Sequence, residues 1–338
     1  MSVSRRTMLG AIATSPLWLQ PAWAQPNNLK ISHQFPGGSV AEGDFRDRLC
    51  RIFAADVERR THGGLKFSIY PGASLSQANA QIPAMRKGTL DMALVPLSYA
   101  GAELPEVNIG LMPGLVTSYE QGYAWKNAEV GKELSRILAE NGIVIVSWIW
   151  QAGGVASRTK AIVDPEDVRG LKVRGGSREM DLILKEAGAN VVTVPSDEIY
   201  KGMRTGTMDA ALTSSTSLIS FRLQEVSKSL TTGRGGAYWF MFEPLLMSKA
   251  VFDRLSKEQQ AAVMAVGADL ESFARKAAQA DDAAVAAVYQ RAGARVVDLN
   301  AESLKKWQDV ARETAWKDYA EHNANCANLL ALAEKTIT

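Results

Sequence analysis

The sequence predicts an α/β fold of two lobes in the manner of periplasmic binding proteins, each lobe a mostly parallel sheet with flanking helices. Strand-like and helical patterns alternate, with strands at 29–32 and 66–70 around a helix at 45–57. About 310 residues follow a predicted export signal, which is more than one hydrophobic core usually supports. A ten-residue echo between the two halves is the third observation.

The echo relates residues 85–94 (MRKGTLDMAL) to residues 203–212 (MRTGTMDAAL). The glycine in each copy predicts the end of a helix, because a left-handed cap suits a residue without a Cβ atom. The Asp-x-Ala-Leu run that follows is typical of a buried strand. Two explanations are open: shared turn chemistry by coincidence, or one α/β unit in each lobe. Ligands bind beyond the carboxyl ends of strands in open α/β sheets, so the turns at 96–99 and 213–216 are predicted to line a cleft.

Residues 256–293 predict one or two helices that begin at Ser256, with Gln259 completing a capping box. A single helix of ~37 residues would be about 55 Å long and would have to bridge both lobes. We therefore assign 27–150 and about 236–272 to lobe I, and 151–235 and about 273–325 to lobe II. Residues 326–338 are predicted to form a C-terminal helix or tail.

The first 24 residues predict an export signal that is cleaved near Ala24. Arg5 and Arg6 precede a short apolar run, and the pair favours the twin-arginine route over general secretion. The alternative, a membrane anchor, would need ~20 apolar residues, which neither this run nor a later segment provides. We expect a periplasmic protein whose mature chain has no stable membrane insertion.

The charge balance argues against partners that are recruited by charge alone. The chain has 38 Lys and Arg and 36 Asp and Glu, and the signal holds two arginines, so the mature chain has 38 − 2 = 36 of each sign. Such a chain has no net charge to draw it to nucleic acid or to an anionic membrane. Cys50 and Cys326 lie at opposite ends of the sequence and are expected to be free or buried thiols.

Signals for catalysis or for a metal are weak. The three histidines, His33, His62 and His322, have no metal-type spacing, so neither a metal nor another cofactor is predicted. The sequence also lacks a nucleophile elbow and a phosphate-cradling loop. The chain is predicted not to be an enzyme, and an exported enzyme acting on an organic acid is kept only as an alternative.

The most specific stretch is residues 164–174, DPEDVRGLKVR, followed by GAN at 188–190, PSDEIY at 195–200 and GTMD at 206–209. Together with YPG at 70–72 and GTLD at 88–91, this order resembles the extracytoplasmic solute-binding subunits of tripartite ATP-independent periplasmic (TRAP) transporters, of the C4-dicarboxylate-binding type. The resemblance implies a monomer that captures a small carboxylate and delivers it to the transporter's membrane subunits. A ligand-sensing protein for a membrane receptor would use the same fold and stays an alternative.

The resemblance implies that Arg174 forms a salt bridge with the ligand carboxylate, for which the planar guanidinium fork is well suited. An ordinary surface arginine is the alternative. Many members carry a second arginine twenty residues earlier, where this chain has Gly154. That departure favours a monocarboxylate with an apolar or aromatic body over a dicarboxylate. Arg158, on the same loop, is a further candidate ligand contact.

Other candidate ligand contacts are aromatic side chains that would pack on the ligand body and hydroxyls that would orient it. For the aromatic residues, the alternative is an ordinary place in the core. The candidates are Phe35, Trp150 and Trp239 for packing, and Tyr99, Thr213, Ser214 and Ser215 for hydrogen bonds.

Overall fold

The structure is a computed structural model that describes residues 27–234 and 236–337. The predicted export signal and its cleavage site lie outside the described residues. The described strands are β1 Asn27–His33, β2 Leu65–Tyr70, β3 Met92–Leu94, β4 Ile143–Ser147, β5 Trp150–Ser157, β6 Lys172–Arg174, β7 Asn190–Val191, β8 Ala210–Ser214, β9 Ser229–Thr232, β10 Phe240–Phe242, β11 Leu245–Ser248 and β12 Arg295–Asp298. The described α-helices are α1 Phe45–Arg60, α2 Gln81–Arg86, α3 Tyr119–Ala124, α4 Glu129–Glu140, α5 Arg178–Glu186, α6 Ile199–Thr205, α7 Ser215–Ser220, α8 Lys249–Arg254, α9 Lys257–Asp269, α10 Glu271–Arg291, α11 Ala301–Ala311, α12 Lys317–His322 and α13 Ala324–Ile337.

The strands form two sheets, as the predicted two-lobed α/β fold requires. The first has the order β2-β1-β3-β11-β4, and the second has the order β12-β9-β5-β8-β6-β7 with β10 added on β5. We call the first sheet with the segments joining β1 to β4 lobe I, and the second sheet with the segments joining β5 to β9 lobe II. Parallel pairs link β1 to β2 and β3, and β6 to β7 and β8, whereas β5 and β11 run antiparallel to their neighbours.

The chain crosses between the two sheets after β4 and again after β10. Because β10 pairs antiparallel with the start of β5, residues 240–242 belong to the second sheet. The division of the sequence given above had placed these residues in lobe I. The two crossing segments lie side by side, so a change in their backbone angles would move one lobe relative to the other.

The internal echo marks one equivalent unit in each sheet. Helix α2 leads to β3 and helix α6 leads to β8, and the glycines that follow the two helices have φ of 71° and 79°. The aspartates of the two copies also act alike. Asp91 accepts the N–H of Lys30 in β1 at 2.8 Å, and Asp209 accepts the N–H of Lys172 in β6 at 2.9 Å. Each carboxylate thus binds a backbone N–H of the neighbouring parallel strand.

The predicted bridge is a long bent helix, formed by α9 and α10 with a break at Leu270. Its N-terminus has the predicted capping box, in which Ser256 accepts from the Gln259 N–H and Gln259 accepts from the Ser256 N–H. Helix α9 packs on α1 and β4 of lobe I, whereas α10 packs on α7, β5 and β9 of lobe II.

Two further features concern single residues and membrane insertion. Cys50 and Cys326 are buried and are not joined by a disulfide, as expected from the sequence. Within the described part of the chain, no helix has both the length and the apolar character that crossing a bilayer requires.

Candidate functional site

Arg174 ends strand β6 and projects into the seam between the lobes. Its side chain is held from three sides, because Nε donates to the Val194 carbonyl at 3.0 Å and Nη1 donates to the Leu212 carbonyl at 2.8 Å. Nη2 donates to the Tyr99 hydroxyl of lobe I at 3.2 Å. A Cβ atom at Gly176 would lie 2.7 Å from Nη1, so the glycine leaves room for the guanidinium. A guanidinium has five N–H donors, and three are used here, which leaves two.

The charge of Arg174 has no counter-ion in the described part of the chain, where no carboxylate or other anionic group lies within 4.0 Å of the guanidinium. Only 2% of the residue is exposed, and a buried charge is unfavourable unless it is paired. Arg46 provides the contrast. It is equally buried, but it pairs with Asp44 at 2.6 Å and with Glu243 at 3.1 Å. Of these two buried arginines, Arg174 is the one with charge left for a ligand.

Two carboxyl groups lie farther from Arg174 in lobe II. Burial raises the pKa of Asp181 to about 6, although a hydrogen bond from Thr193 and the charge of Arg174 act in the opposite direction. Burial also raises the pKa of Asp197. Burial opposes ionisation of both carboxyls, and neither lies within 4.0 Å of the guanidinium, so neither forms a direct ion pair with Arg174.

Tyr99 connects the two lobes at the same point. Its hydroxyl oxygen accepts from Nη2 of Arg174 and from the Ser196 N–H at 3.0 Å, and the amide of Gln34 lies 3.4 Å away. A hydroxyl oxygen has two lone pairs and one proton, so two accepted bonds leave its proton available for an acceptor. The lobe I tyrosine therefore supplies a donor beside the two N–H groups of Arg174.

Further contacts hold the lobes together around this point. The Ser98 hydroxyl donates to the Gly176 carbonyl at 3.2 Å, and the Ser177 hydroxyl donates to the Leu111 carbonyl at 3.2 Å. A groove of about 560 Å³ runs from the surface between the lobes to Tyr99, Gly176 and Val194, which are all neighbours of Arg174. The lobes are thus closed at the seam, and the groove leads to it.

Trp239 lies next to the Arg174 loop, since its indole N–H donates to the Gly175 carbonyl at 2.9 Å. Its ring covers Gly153 of β5, where an added Cβ atom would be 2.3 Å from Cε3 of the indole. At Gly154 a Cβ atom would lie 2.4 Å from the Thr231 carbonyl oxygen. A side chain at this position would require β9 to move.

Phe35 lies in the seam between lobe I and lobe II. Its ring centre is 3.5 Å from Cζ of Arg46, it stacks on His33, and it lies 6.5 Å from the ring of Phe221 in lobe II. It is fully buried. Phe35 therefore provides apolar surface between the lobes, and the guanidinium of Arg46 packs on its ring.

Trp150 lies on the other face of β5. Its ring is 5.1 Å from that of Trp125 and 5.0 Å from that of Phe242, and a Cβ atom at Gly122 would be 2.8 Å from it. Side chains alternate along a strand, so Gln151 points to the opposite face. These contacts are those of a core residue, and a ligand contact by Trp150 stays a prediction.

The hydroxyl residues at the end of β8 are buried and engaged. The Ser214 hydroxyl accepts the Ser217 N–H and donates to the Ser217 hydroxyl, both at 3.1 Å, and so caps α7. Ser215 makes a hydrogen bond with Asp282 of α10. Thr213 pairs with Gly154 in the sheet. Their role toward a ligand stays a prediction, and of the three only Thr213 has no side-chain bond that ties it to the bridging helix or to a cap.

Arg158 is placed at the other end of β5. Its nearest carboxylate is Asp209, at 3.7 Å, and its guanidinium also lies beside Gly206. Because β5 and β8 are antiparallel, Asp209 and Ser214 lie at opposite ends of the strand pair. Arg158 is thus not brought together with Arg174, and a ligand contact by Arg158 stays a prediction.

Sequence reasoning missed the polar residues that flank Phe35 in the seam, namely Gln34, Asp44, Arg46, Gln151 and Glu243. All five are buried, and Nη1 of Arg46 contacts both Glu243 and the Ser217 hydroxyl of lobe II at 3.1 Å. The signal that could have found Gln151 is the strand alternation, which places it opposite the Trp150 ring. No local signal pairs Arg46 with Glu243, because 197 residues separate them.

Comparison with known proteins gives a consistent set of relatives. The model of bacterial extracellular solute-binding protein family 7, DctP, matches residues 38–322. A solute-binding protein of Albidiferax ferrireducens is 65% identical over 338 residues, which is 99% of this chain and 100% of that protein. The 2,3-diketo-L-gulonate-binding periplasmic protein of Escherichia coli is 27% identical over 79% of this chain and 82% of its own length.

Solved structures extend these similarities to the fold. A TRAP periplasmic solute-binding protein from Rhodoferax ferrireducens with bound malonate is 68% identical, with a TM-score of 0.90, and the match covers 91% of this chain and 98% of that chain. A protein of the same class from Sulfitobacter, with bound β-D-galacturonate, has a TM-score of 0.83 at 24% identity and covers 91% and 100% of the two chains. At that lower identity the likeness concerns the fold alone.

Proposed function

This chain belongs to bacterial extracellular solute-binding protein family 7, and we propose that it captures a small carboxylate outside the cytoplasm and delivers it to the membrane subunits of a TRAP transporter. The family and its 65% identical member are solute-binding proteins, so the chain is not an enzyme, as the sequence predicted. The proposal concerns the ligand, the anchoring residue and the delivery.

One observation carries the ligand class: Arg174 is buried, oriented by three hydrogen bonds and has no carboxylate partner within 4.0 Å among the described residues. A carboxylate in the seam would supply the missing charge and accept the two remaining N–H groups. The Tyr99 proton would be a third donor. Hydrogen bonds to a charged partner are roughly twice as strong as neutral ones, so the carboxylate head accounts for a large part of the recognition.

Capture and closure are the same event in this proposal. Arg174 and Ser196 come from lobe II and Tyr99 comes from lobe I, and the three meet only when the lobes are together. A carboxylate that binds between them adds contacts to both lobes and therefore favours the closed state over an open one. The groove that ends at Tyr99 would be the path by which the ligand reaches the seam.

For the ligand body we propose a monocarboxylate with an apolar or aromatic part, packed against Phe35 and Trp239. The support is the charge balance, because Arg46 is neutralised by Asp44 and Glu243, and Gly154 has no space for a second cation. Malonate in the 68% identical relative supports the carboxylate class. Malonate is also the dicarboxylate to compare with monocarboxylates. If the protein prefers malonate, the proposed monocarboxylate is rejected, while the carboxylate class stands.

We attribute delivery of the carboxylate to the surface that the two lobes form together when they are closed, which the membrane subunits would bind. A membrane partner that recognises the closed form would favour a loaded protein over an empty one, because the ligand adds its contacts to those that already join the lobes and so raises the closed population. The 68% identical relative is a TRAP periplasmic solute-binding protein, and this supports the transporter type. Reconstituted uptake by the transporter's membrane subunits, with and without this chain, tests the delivery.

The test of ligand class is titration calorimetry of the purified protein with propionate, benzoate and malonate, together with thermal unfolding. A ligand at a hundred times its Kd adds about 2.7 kcal/mol to the free energy of unfolding. We expect binding of at least one acid to be lost in Arg174→Ala and strongly weakened in Arg174→Lys, which lacks the planar fork. Arg169→Ala, at an exposed position before β6, is the matched control and should bind as the parent does. Unchanged affinity in Arg174→Ala would reject the proposed anchor.

A further inference from the structure

A buried polar cluster lies across the seam, beside Phe35. Asp44 and Arg46 come from the start of α1, Ser217 comes from α7 of lobe II, and Glu243 follows β10. Oε2 of Glu243 accepts from Nη1 of Arg46 and from the amide of Gln151. The cluster therefore joins lobe I, lobe II and the crossing segments.

Two acceptors of this cluster have no donor among the described residues: Oε1 of Glu243 and Oε1 of Gln151. The two residues are 0% and 1% exposed, so bulk water does not reach them. The orientation of the Gln151 amide follows from its partner, since its NH₂ group must face the oxygen that also accepts from Arg46. A buried acceptor left without a donor is unfavourable, so these two oxygens point to a missing donor.

The two oxygens belong to the same seam as Arg174. Along β5, Gln151 and Gly153 face the same side, and Gly153 is covered by Trp239, whose indole N–H binds the carbonyl next to Arg174. Lobe I makes the same link, because Gln34 lies beside the Tyr99 hydroxyl while its neighbour Phe35 stacks on Arg46. The seam thus has donors at the Arg174 end and unsatisfied acceptors at the Glu243 end.

We propose that the ligand is a hydroxy acid, whose carboxylate binds Arg174 and whose hydroxyl donates its one proton to the free oxygen of Gln151, an amide that Glu243 holds in place. This inference rests on the proposed function and narrows its ligand class. An ammonium group could also donate, but it would bring a further charge into a site where Arg46 already pairs with Asp44 and Glu243 and where Gln151 and Glu243 are 1% and 0% exposed. A neutral hydroxyl supplies a donor without the cost of burying that charge.

The experiment compares acids that differ by one group. Titration calorimetry of the purified protein measures Kd for propionate, lactate and alanine, and for malonate, hydroxymalonate and aminomalonate. We expect the hydroxyl to tighten binding at least tenfold in one of the two series, and the amino group to give no such gain. If lactate and hydroxymalonate bind no more tightly than propionate and malonate, the hydroxy-acid proposal is rejected, while Arg174-dependent carboxylate binding would leave the proposed function intact.

Variants locate the hydroxyl contact. For each variant we compare the Kd of the acid without the hydroxyl (propionate or malonate) with the Kd of its hydroxy acid (lactate or hydroxymalonate). In Gln151→Leu this ratio of Kd values should fall to near one, and Glu243→Gln should reduce it as well. Gln290→Leu, an exposed glutamine near the end of α10, is the matched control and should keep the full ratio. The ratio is internal to each variant, so a general loss of affinity does not imitate the effect. A full ratio in both Gln151→Leu and Glu243→Gln would place the hydroxyl elsewhere and overturn the assignment. If no acid of either series binds the parent protein, the proposed function and this inference fail together.

Discussion

The hydroxyl oxygen of Tyr99 in lobe I lies 3.2 Å from Nη2 of Arg174 in lobe II. It also accepts the Ser196 N–H at 3.0 Å, so one hydroxyl satisfies two donors of the opposite lobe. The guanidinium is at the same time fixed by the carbonyls of Val194 and Leu212 within its own lobe. Lobe II therefore fixes the orientation of the Arg174 guanidinium. The Tyr99 contact is added only when lobe I closes on lobe II.

Tyr99→Phe should weaken carboxylate binding while leaving the fold intact. The variant removes the acceptor for Arg174 and Ser196 and the hydroxyl proton, and we expect a loss of at least tenfold in affinity, ~1.4 kcal/mol. Titration calorimetry with the tightest-binding acid measures it. Tyr200→Phe removes a comparable hydroxyl, one that donates to Glu225 at 2.9 Å on the surface, and should leave the affinity unchanged. Equal affinities of the two variants would show that Tyr99 does not couple the ligand to closure.

Gly154→Ala should destabilise the protein, because the new methyl group would lie 2.4 Å from the Thr231 carbonyl oxygen. Forcing extra volume into packed backbone typically costs about 1–3 kcal/mol of unfolding free energy, which urea denaturation measures. Gly202→Ala is the control, since its methyl group would meet mainly the flexible end of Met208 at 3.2 Å within helix α6. A Gly154→Ala variant as stable as the parent would contradict the expected clash with the Thr231 carbonyl oxygen.

Local patterns were sufficient to predict the two α/β units that the echo marks and the start of the bridging helix. The Gly88 and Gly206 helix ends, the strands behind them and the Ser256 capping box depend on residues near one another in sequence, and all are present. The echo did not predict one similarity between its two copies. Asp91 and Asp209 each accept a backbone N–H from the neighbouring parallel strand. Such bonds depend on strand order, which local patterns do not encode.

The contacts between residues in the seam were harder to predict from the sequence. Arg174 was singled out through a family motif, but its lack of a carboxylate partner follows only from the folded arrangement. Trp150 is predicted to contact the ligand from its aromatic character, which does not tell the two faces of a buried strand apart, and that contact stays a prediction. Its ring neighbours Phe240 and Phe242 come from β10, more than 80 residues later, so no local pattern identifies them. Arg46 and Glu243 were missed for the same reason.

Arg46→Met should lower the free energy of unfolding by about 3–5 kcal/mol, because it leaves the carboxylates of Asp44 and Glu243 buried without a cation. Burial already raises the pKa of Glu243 to about 7, although Arg46 acts in the opposite direction. The double variant Arg46→Met with Glu243→Gln removes one of the two uncompensated charges and should recover part of the loss. Urea denaturation at pH 8 compares the two. A double variant no more stable than the single one would contradict the charge argument.

Asp47 should make the stability of the protein depend on pH in the acid range. Burial opposes ionisation of Asp47, but hydrogen bonds from His33 at 3.1 Å, from Arg51 at 2.7 Å and from the Gly38 N–H at 2.9 Å lower its pKa to about 2. The folded state therefore favours the ionised form, so the stabilisation is full above about pH 4 and is lost as the pH falls toward 2. The lowered pKa corresponds to about 2.5 kcal/mol.

The measurement compares parent and Asp47→Asn by urea denaturation between pH 7 and pH 2. The stability difference between them should shrink by about 2.5 kcal/mol as the pH falls, because the parent loses a charge that the variant never had. Asp56→Asn, on the same helix, removes a carboxylate that pairs with Arg59 at the surface and should change little at any pH. A constant difference between parent and Asp47→Asn would mean that Asp47 stabilises the folded state as a neutral hydrogen-bond acceptor. The loop that it holds through Gly38 also carries Gln34 and Phe35, so carboxylate affinity should fall along with stability in Asp47→Asn.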